Sequence, residues 1–242
     1  MEIPRPPPTR TAVFVHGAGG GGWEWAVWQR VFAAAGWDTL APDLRPAPAG
    51  LAATTLGDYA AQVRGWTAAV PRPRVLVGAS LGGLLAAMAS AAADALVLVN
   101  PLPPQGLPDA PPLPAVVPWG LAASLAGTRR ALPDADDLAA LHAFRRWRDE
   151  SGRVLAEARA GVVVARPCVP VLVIASDGDD DVPPASSAAL AAEWGATLWP
   201  VPGSHVGPLL GRQAPALAAA VLPWLNAAVG GAGIQHPLGA PA

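Results

Sequence analysis

Apolar residues in this chain fall into short, β-branched blocks separated by longer alanine- and leucine-rich stretches. The blocks cover residues 12–15, 39–41, 75–77, 95–99, 171–175 and 197–201, and each ends at a polar or glycine-rich turn. Their length and lack of alternation predict strands buried on both faces. Residues 25–35, 56–69, 81–93, 185–194 and 215–229 have helical composition and lie between most of the blocks. Strand alternating with helix predicts an α/β fold: a parallel sheet of about six strands with helices on both faces.

One region departs from this rhythm. Residues 101–118 are too proline-rich for a long helix. Residues 138–160 then read as one helix carrying the charges Arg145, Arg146, Arg148, Asp149 and Glu150. The organisation expected is a single domain over 11–229, in which 101–163 is a lid-like insertion over one end of the sheet. Residues 230–242, rich in Gly, Pro and Ala, read as a mobile tail.

Composition narrows the function classes. The chain has 242 residues, 52% hydrophobic and 14% charged, which suits one large core and excludes general disorder. Its net charge of −2 removes nucleic acid as a default partner. A single cysteine, Cys168, excludes a disulfide framework and a four-cysteine zinc site. All the basic residues are arginine. No apolar stretch reaches the ~20 residues of a bilayer span, and the first ten residues lack the apolar segment of a signal peptide. A soluble, cytoplasmic protein without membrane partners is the simplest expectation.

The strongest chemical signal is Gly78-Ala79-Ser80-Leu81-Gly82, between a strand and a small-residue helix. A Gly-x-Ser-x-Gly turn is so tight that the residues flanking the serine must be tiny, and it leaves the hydroxyl beside a helix N-terminus. The alternative is a tight turn with a passive serine. Upstream, Val13-Phe-Val-His16 opens into a glycine run that ends at Gly22. Such a loop can aim N–H groups at an oxyanion, and the candidates are the N–H groups of Ala18 and Leu81. A Walker phosphate loop is excluded because the chain has no lysine. Gly17, Gly19 and Gly22 also fit a dinucleotide fingerprint, but weakly, within a polyglycine run. The acid expected further on could only be Asp38 or Asp43.

Serine needs a base. Of the four histidines, His16 belongs to the glycine loop, where a propping role is expected. His142 lies among charges, and His236 lies in the tail. His205, in the loop after the last strand, is the candidate base. Between Ser80 and His205 an acidic turn offers Asp177, Asp179, Asp180 and Asp181, with Asp179 favoured and Asp180 next. A calcium loop is the rival reading of this turn, but the terminal glutamate it would need is missing, and no metal is expected. Trp23, Trp25, Leu102, Trp119 and Trp147 are candidate substrate contacts.

Taken together, His16-Gly17, Pro42-Asp43-Leu44-Arg45, the Ser80 turn, Asp179-Asp180-Asp181-Val182-Pro183 and Gly203-Ser204-His205 resemble the α/β-hydrolase superfamily, in its order, over about residues 11–229. The resemblance implies a cofactor-free serine hydrolase acting on a small, apolar carboxylic ester or thioester. It places the acid four residues before Pro183, on Asp179. His16-Gly-Ala-Gly and Trp23-Glu-Trp25 are similar to small plant-type methyl esterases and their hydroxynitrile-lyase relatives. The N-terminus leaves no room for the superfamily's first antiparallel hairpin, and no lysine is present for lyase chemistry. A non-catalytic ligand-binding protein on the same fold, or a cofactor-free lyase or perhydrolase, are the competing expectations.

Overall fold

The computed structural model describes residues 10–107 and 112–230. Six strands form one sheet: β1 (Arg10–Val15), β2 (Trp37–Leu40), β3 (Arg74–Ala79), β4 (Ala95–Val99), β7 (Val171–Ser176) and β8 (Thr197–Val201). Their order is β2-β1-β3-β4-β7-β8, and every pairing is parallel. The intervening β5 (Val116–Val117) and β6 (Glu150–Ser151) make a separate antiparallel ribbon.

Alternate side chains of each central strand feed two cores. Phe14, Val75, Val77, Val97 and Ile174 pack with Trp28 and Phe32 of α1 (Ala26–Ala34) and Val221 and Leu225 of α9 (Ala214–Val229). Val13, Leu76, Leu96 and Val173 face the opposite way. They meet Tyr59 and Val63 of α2 (Leu56–Ala69), Leu84 and Leu85 of α3 (Leu81–Met88) and Leu190 of α7 (Pro184–Trp194). This two-sided burial is why the strands read as unbroken apolar runs. Helix α2 starts where the sequence supplies a reciprocal cap. Thr55 Oγ1 accepts from Asp58 N–H (3.1 Å), and Asp58 Oδ2 accepts from Thr55 N–H (2.8 Å).

The excursion between β4 and β7 differs from the expected single helix over 138–160. It holds α4 (Leu125–Ala131), α5 (Asp137–Phe144) and α6 (Gly152–Ala160), with β6 immediately before α6. The break falls on Arg148–Asp149–Glu150, whose side chains bond other segments, with Glu150 buried and Arg148 and Asp149 half-buried. A short helix, α8 (Gly207–Leu210), follows β8. The tail reading falls almost wholly on residues 231–242, outside the described ones. Among the described residues no helix is long and apolar enough to cross a membrane.

Parallel pairing brings the strand ends to one edge. Val15 is opposite Gly78, and Ala79 is opposite Val99. The chain leaves β1 towards β2 on one side, then places β3 on the other. The crevice at this reversal, outside the carboxyl ends of β1 and β3, is where open α/β sheets receive ligands. Both the glycine loop and the Ser80 turn emerge there.

Candidate active site

Ser80 joins β3 to α3 with φ 53° and ψ −122°. A serine in this region carries about 1–3 kcal/mol of strain, so its surroundings must enforce it. They do so by close approach. A Cβ on Gly78 would run into the Gly82 carbonyl, and one on Gly82 would run into the carbonyl oxygens of Val15 and His16. The turn is thereby wedged against the end of β1. Leu81 opens α3, so its N–H has no acceptor inside the helix.

The glycine loop lies alongside. A Cβ on Gly17 would stand 3.3 Å from Ser80 Cβ. Among the described residues, neither Ala18 N–H nor Leu81 N–H is spent on a backbone or side-chain acceptor. His16 props this loop, as expected. Its Nε2 accepts from Leu44 N–H (2.9 Å), which puts the ring proton on Nδ1, facing Gly17 O at 2.7 Å. Burial brings the His16 pKa down to about 4, with a further push from the Arg148 charge. The ring is therefore neutral near pH 7.

Two residues absent from the sequence-based candidates hold the loop from above. Arg148 Nε donates to Gly20 O (2.6 Å), its Nη2 lies 3.2 Å from His16 Nε2, and its backbone N–H donates to Gly19 O (2.8 Å). Buried Glu150 accepts from Gly19 N–H (3.0 Å) and from the Tyr59 hydroxyl (2.9 Å). Asp43 accepts from Gly22 N–H at 2.8 Å.

His205 lies in the loop after β8, and its Nδ1 is 2.7 Å from Asp179 Oδ2. The other oxygen of Asp179 accepts from the N–H groups of Asp181 (2.9 Å) and Val182 (2.8 Å). Of the four acidic candidates only Asp179 is buried; Asp177, Asp180 and Asp181 are exposed. The loop is fixed from both sides. Asn100, at φ 44° after β4, donates to His205 O (2.7 Å) and to Ser176 Oγ (2.9 Å). Asp134, from the segment between α4 and α5, accepts from Ser204 N–H (2.7 Å) and Ser204 Oγ–H (3.0 Å). Donor atoms of Asp179, Asp181 and His205 also lie within 4.8 Å of one another. Both Asp179 oxygens are already committed to N–H groups.

Ser80 and His205 line one cavity of about 520 Å³, together with Ala18, Leu102, Trp119 and Trp147. Among the described residues no hydrogen bond joins Ser80 Oγ to His205, although both line the cavity. The other two tryptophans sit elsewhere. Trp25 is fully buried against Phe14 and Trp28, with ring centroids at 5.0 and 5.5 Å. Trp23 packs behind the cavity wall on Trp147 (5.3 Å) and His142 (5.6 Å). Neither belongs to the lining. The short 3₁₀ turn Gly22–Trp25 instead presents Glu24 to the cavity.

Burial pushes the Glu24 carboxyl up to about 8, although the N–H groups of Gly17 and Gly21 and the Arg148 charge pull it down. It is therefore mostly protonated at pH 7. Its pKa is raised on folding, so its contribution to stability is full below about 4.5 and is lost as pH rises through about 8. His16 acts oppositely: its contribution is full above about 6.5 and is lost as pH falls through about 4. Glu24→Gln removes the alkaline loss. The melting temperature of this variant, relative to the parent, is expected to rise steadily from pH 5 to pH 9. Parallel melting curves across that range would refute the assignment.

The family model described as "Alpha/beta hydrolase family" matches residues 12–221. No curated protein sequence matches the chain. Among solved structures, a pyrethroid hydrolase from Sphingobium faniae is similar at TM-score 0.70 and 19% identity, covering 90% of this chain and 98% of that one. A methylesterase from Arabidopsis is similar at 0.69 and 17%, covering 90% and 99%. Polyneuridine aldehyde esterase is similar at 0.72 and 17%, covering 90% and 100%. With the family match spanning most of its length and the sheet, elbow and loop order in place, the chain belongs to the alpha/beta hydrolase family.

Proposed function

We propose that the protein is a serine hydrolase that cleaves a small carboxylic ester, or thioester, through an acyl-enzyme. The observation that carries this reading is the 2.7 Å contact of His205 Nδ1 with buried Asp179, at the cavity that Ser80 also lines. With its Nδ1–H held by the carboxylate, His205 keeps Nε2 free to accept a proton. In the proposed cycle His205 takes the Ser80 proton as Oγ attacks the acyl carbon. The N–H groups of Ala18 and Leu81 receive the oxyanion, each contributing about 3 kcal/mol to the transition state. His205 then protonates the leaving alcohol or thiol. Water, activated by the same imidazole, releases the acid and restores Ser80. Esters and thioesters are favoured over amides because their leaving groups depart more readily. The hydrolase and esterase names of the similar structures point the same way.

The test is labelling with a fluorophosphonate, followed by turnover of p-nitrophenyl esters of graded acyl length. Labelling at Ser80 is expected in the parent, with none in Ser80→Ala and a slowed rate in His205→Ala. A folded protein that does not label would make it a non-catalytic binder. Labelling without ester turnover would point to a lyase or perhydrolase on the same fold.

A further inference from the structure

The cavity carries a cationic group that the acyl-transfer chemistry leaves unused. Leu155 and Arg159 are one helical turn apart on α6, and both line the cavity. Arg159 is half-buried, and its Nη1, closed off from solvent, has no hydrogen-bond partner among the described residues. A buried donor left in that state costs about 1–3 kcal/mol, more when charged. Four neighbouring arginines of the same segment are spent: Arg129 on Asp137, Arg146 on His142 O, Arg148 on the glycine loop and Arg153 on Glu157. Among the described residues no carboxylate pairs with Arg159, whose salt-bridging distance is met by none of them.

Among the described residues, the acids lining or adjoining the cavity do not neutralise it. Asp179 is committed to His205 and two N–H groups. Glu24 is held largely uncharged by burial. Asp181 is exposed, as is Arg130, a second arginine of the lining. The same lining includes the apolar Leu102, Leu107, Leu155 and Val182. A planar guanidinium in such surroundings matches a carboxylate, which accepts two parallel N–H bonds.

The geometry points to Arg159 as the subsite for a carboxylate on the substrate: an ester whose short apolar chain ends in an acid, as in the half-ester of a dicarboxylic acid. This rests on the acyl-transfer reading above and narrows its substrate from any small apolar ester to an anionic one. The apolar walls hold the methylene chain, and the guanidinium fixes its far end, which sets the distance to the ester carbonyl.

The experiment compares methyl half-esters of four- to eight-carbon dicarboxylic acids with dimethyl esters of the same acids, in the parent, Arg159→Met and Arg159→Glu. The parent is expected to have a higher kcat/KM for the half-ester at one chain length, by about tenfold or more. That ratio should collapse in Arg159→Met and invert in Arg159→Glu. A parent that prefers the neutral ester at every length overturns the proposal without any variant. A preference that survives in folded Arg159→Met overturns the role of Arg159. If no ester is turned over and no fluorophosphonate label appears, the acyl-transfer reading has failed. Calorimetry with glutarate and adipate then decides the subsite separately: binding by the parent, lost in Arg159→Met, supports it, and no binding by the parent removes it.

Discussion

Asp179→Asn is expected to lower kcat by about four orders of magnitude while the protein stays folded. The reason lies in how the two carboxylate oxygens are divided. Oδ1 accepts from the N–H groups of Asp181 and Val182, and Oδ2 faces His205 Nδ1. An asparagine has one acceptor and one donor end. Two backbone N–H groups claim the acceptor, so the amide N–H₂ must turn to His205 Nδ1. That nitrogen must then be unprotonated, which moves the imidazole proton to Nε2, the atom that accepts from Ser80 in the proposed cycle. The imidazolium also loses its stabilising anion. Steady-state kinetics on a p-nitrophenyl ester, with the melting temperature as control, measures the effect. A loss of less than tenfold in a folded variant would remove Asp179 from the mechanism. Asp180→Asn, at an exposed position, is the comparison that separates the two acids left open by the acidic turn.

Arg148→Met is expected to lower kcat by about a hundredfold, with a smaller change in KM. The guanidinium bonds Gly20 O at 2.6 Å, reaches Leu44 O at 3.3 Å and His16 Nε2 at 3.2 Å, and lies 3.7 Å from Asp43. Methionine leaves the Gly20 carbonyl without its donor and frees the loop that carries the Ala18 N–H. A donor displaced by a fraction of an ångström stabilises the oxyanion less, and the transition state depends on it more than the bound substrate does. Arg148→Lys keeps the charge but not the fork, so it should recover only part of the rate. The phosphonylation rate of Ser80 should fall alongside kcat. Equal loss in kcat and KM, or full recovery with lysine, would mean that Arg148 does not position the loop.

The sheet was legible because two-sided burial leaves a local mark: residues 95–99 are apolar at every position, and such a run has few other uses. The Ser80 turn was legible for a steric reason, since no side chain fits at Gly78 or Gly82. Arg148, Asp149 and Glu150 were not. Three charges in a row ordinarily face water, and their acceptors and donors lie far off in sequence, as Gly19 does from Glu150. Nothing in the local periodicity announces such a pairing, so the run read as the surface of one continuous helix. Trp25 misled for the opposite reason. A tryptophan beside a glycine loop suits a ligand pocket and a core equally well, and the 3₁₀ turn Gly22–Trp25 sends it into the core while Glu24 takes the cavity side. Asn100 was hidden because a positive φ at a strand end has no signature in composition.

The triplet 148–150 ties the excursion between β4 and β7 to the glycine loop, and Asp134 ties the same excursion to the histidine loop. On the proposed function, substrate selection and rate enhancement are therefore not separable modules. Transplanting that excursion from another hydrolase to alter selectivity would import a new lining and, in the same stroke, unfasten both the glycine loop and the histidine loop. A chimera would have to retain Asp134, Arg148 and Glu150 from the recipient.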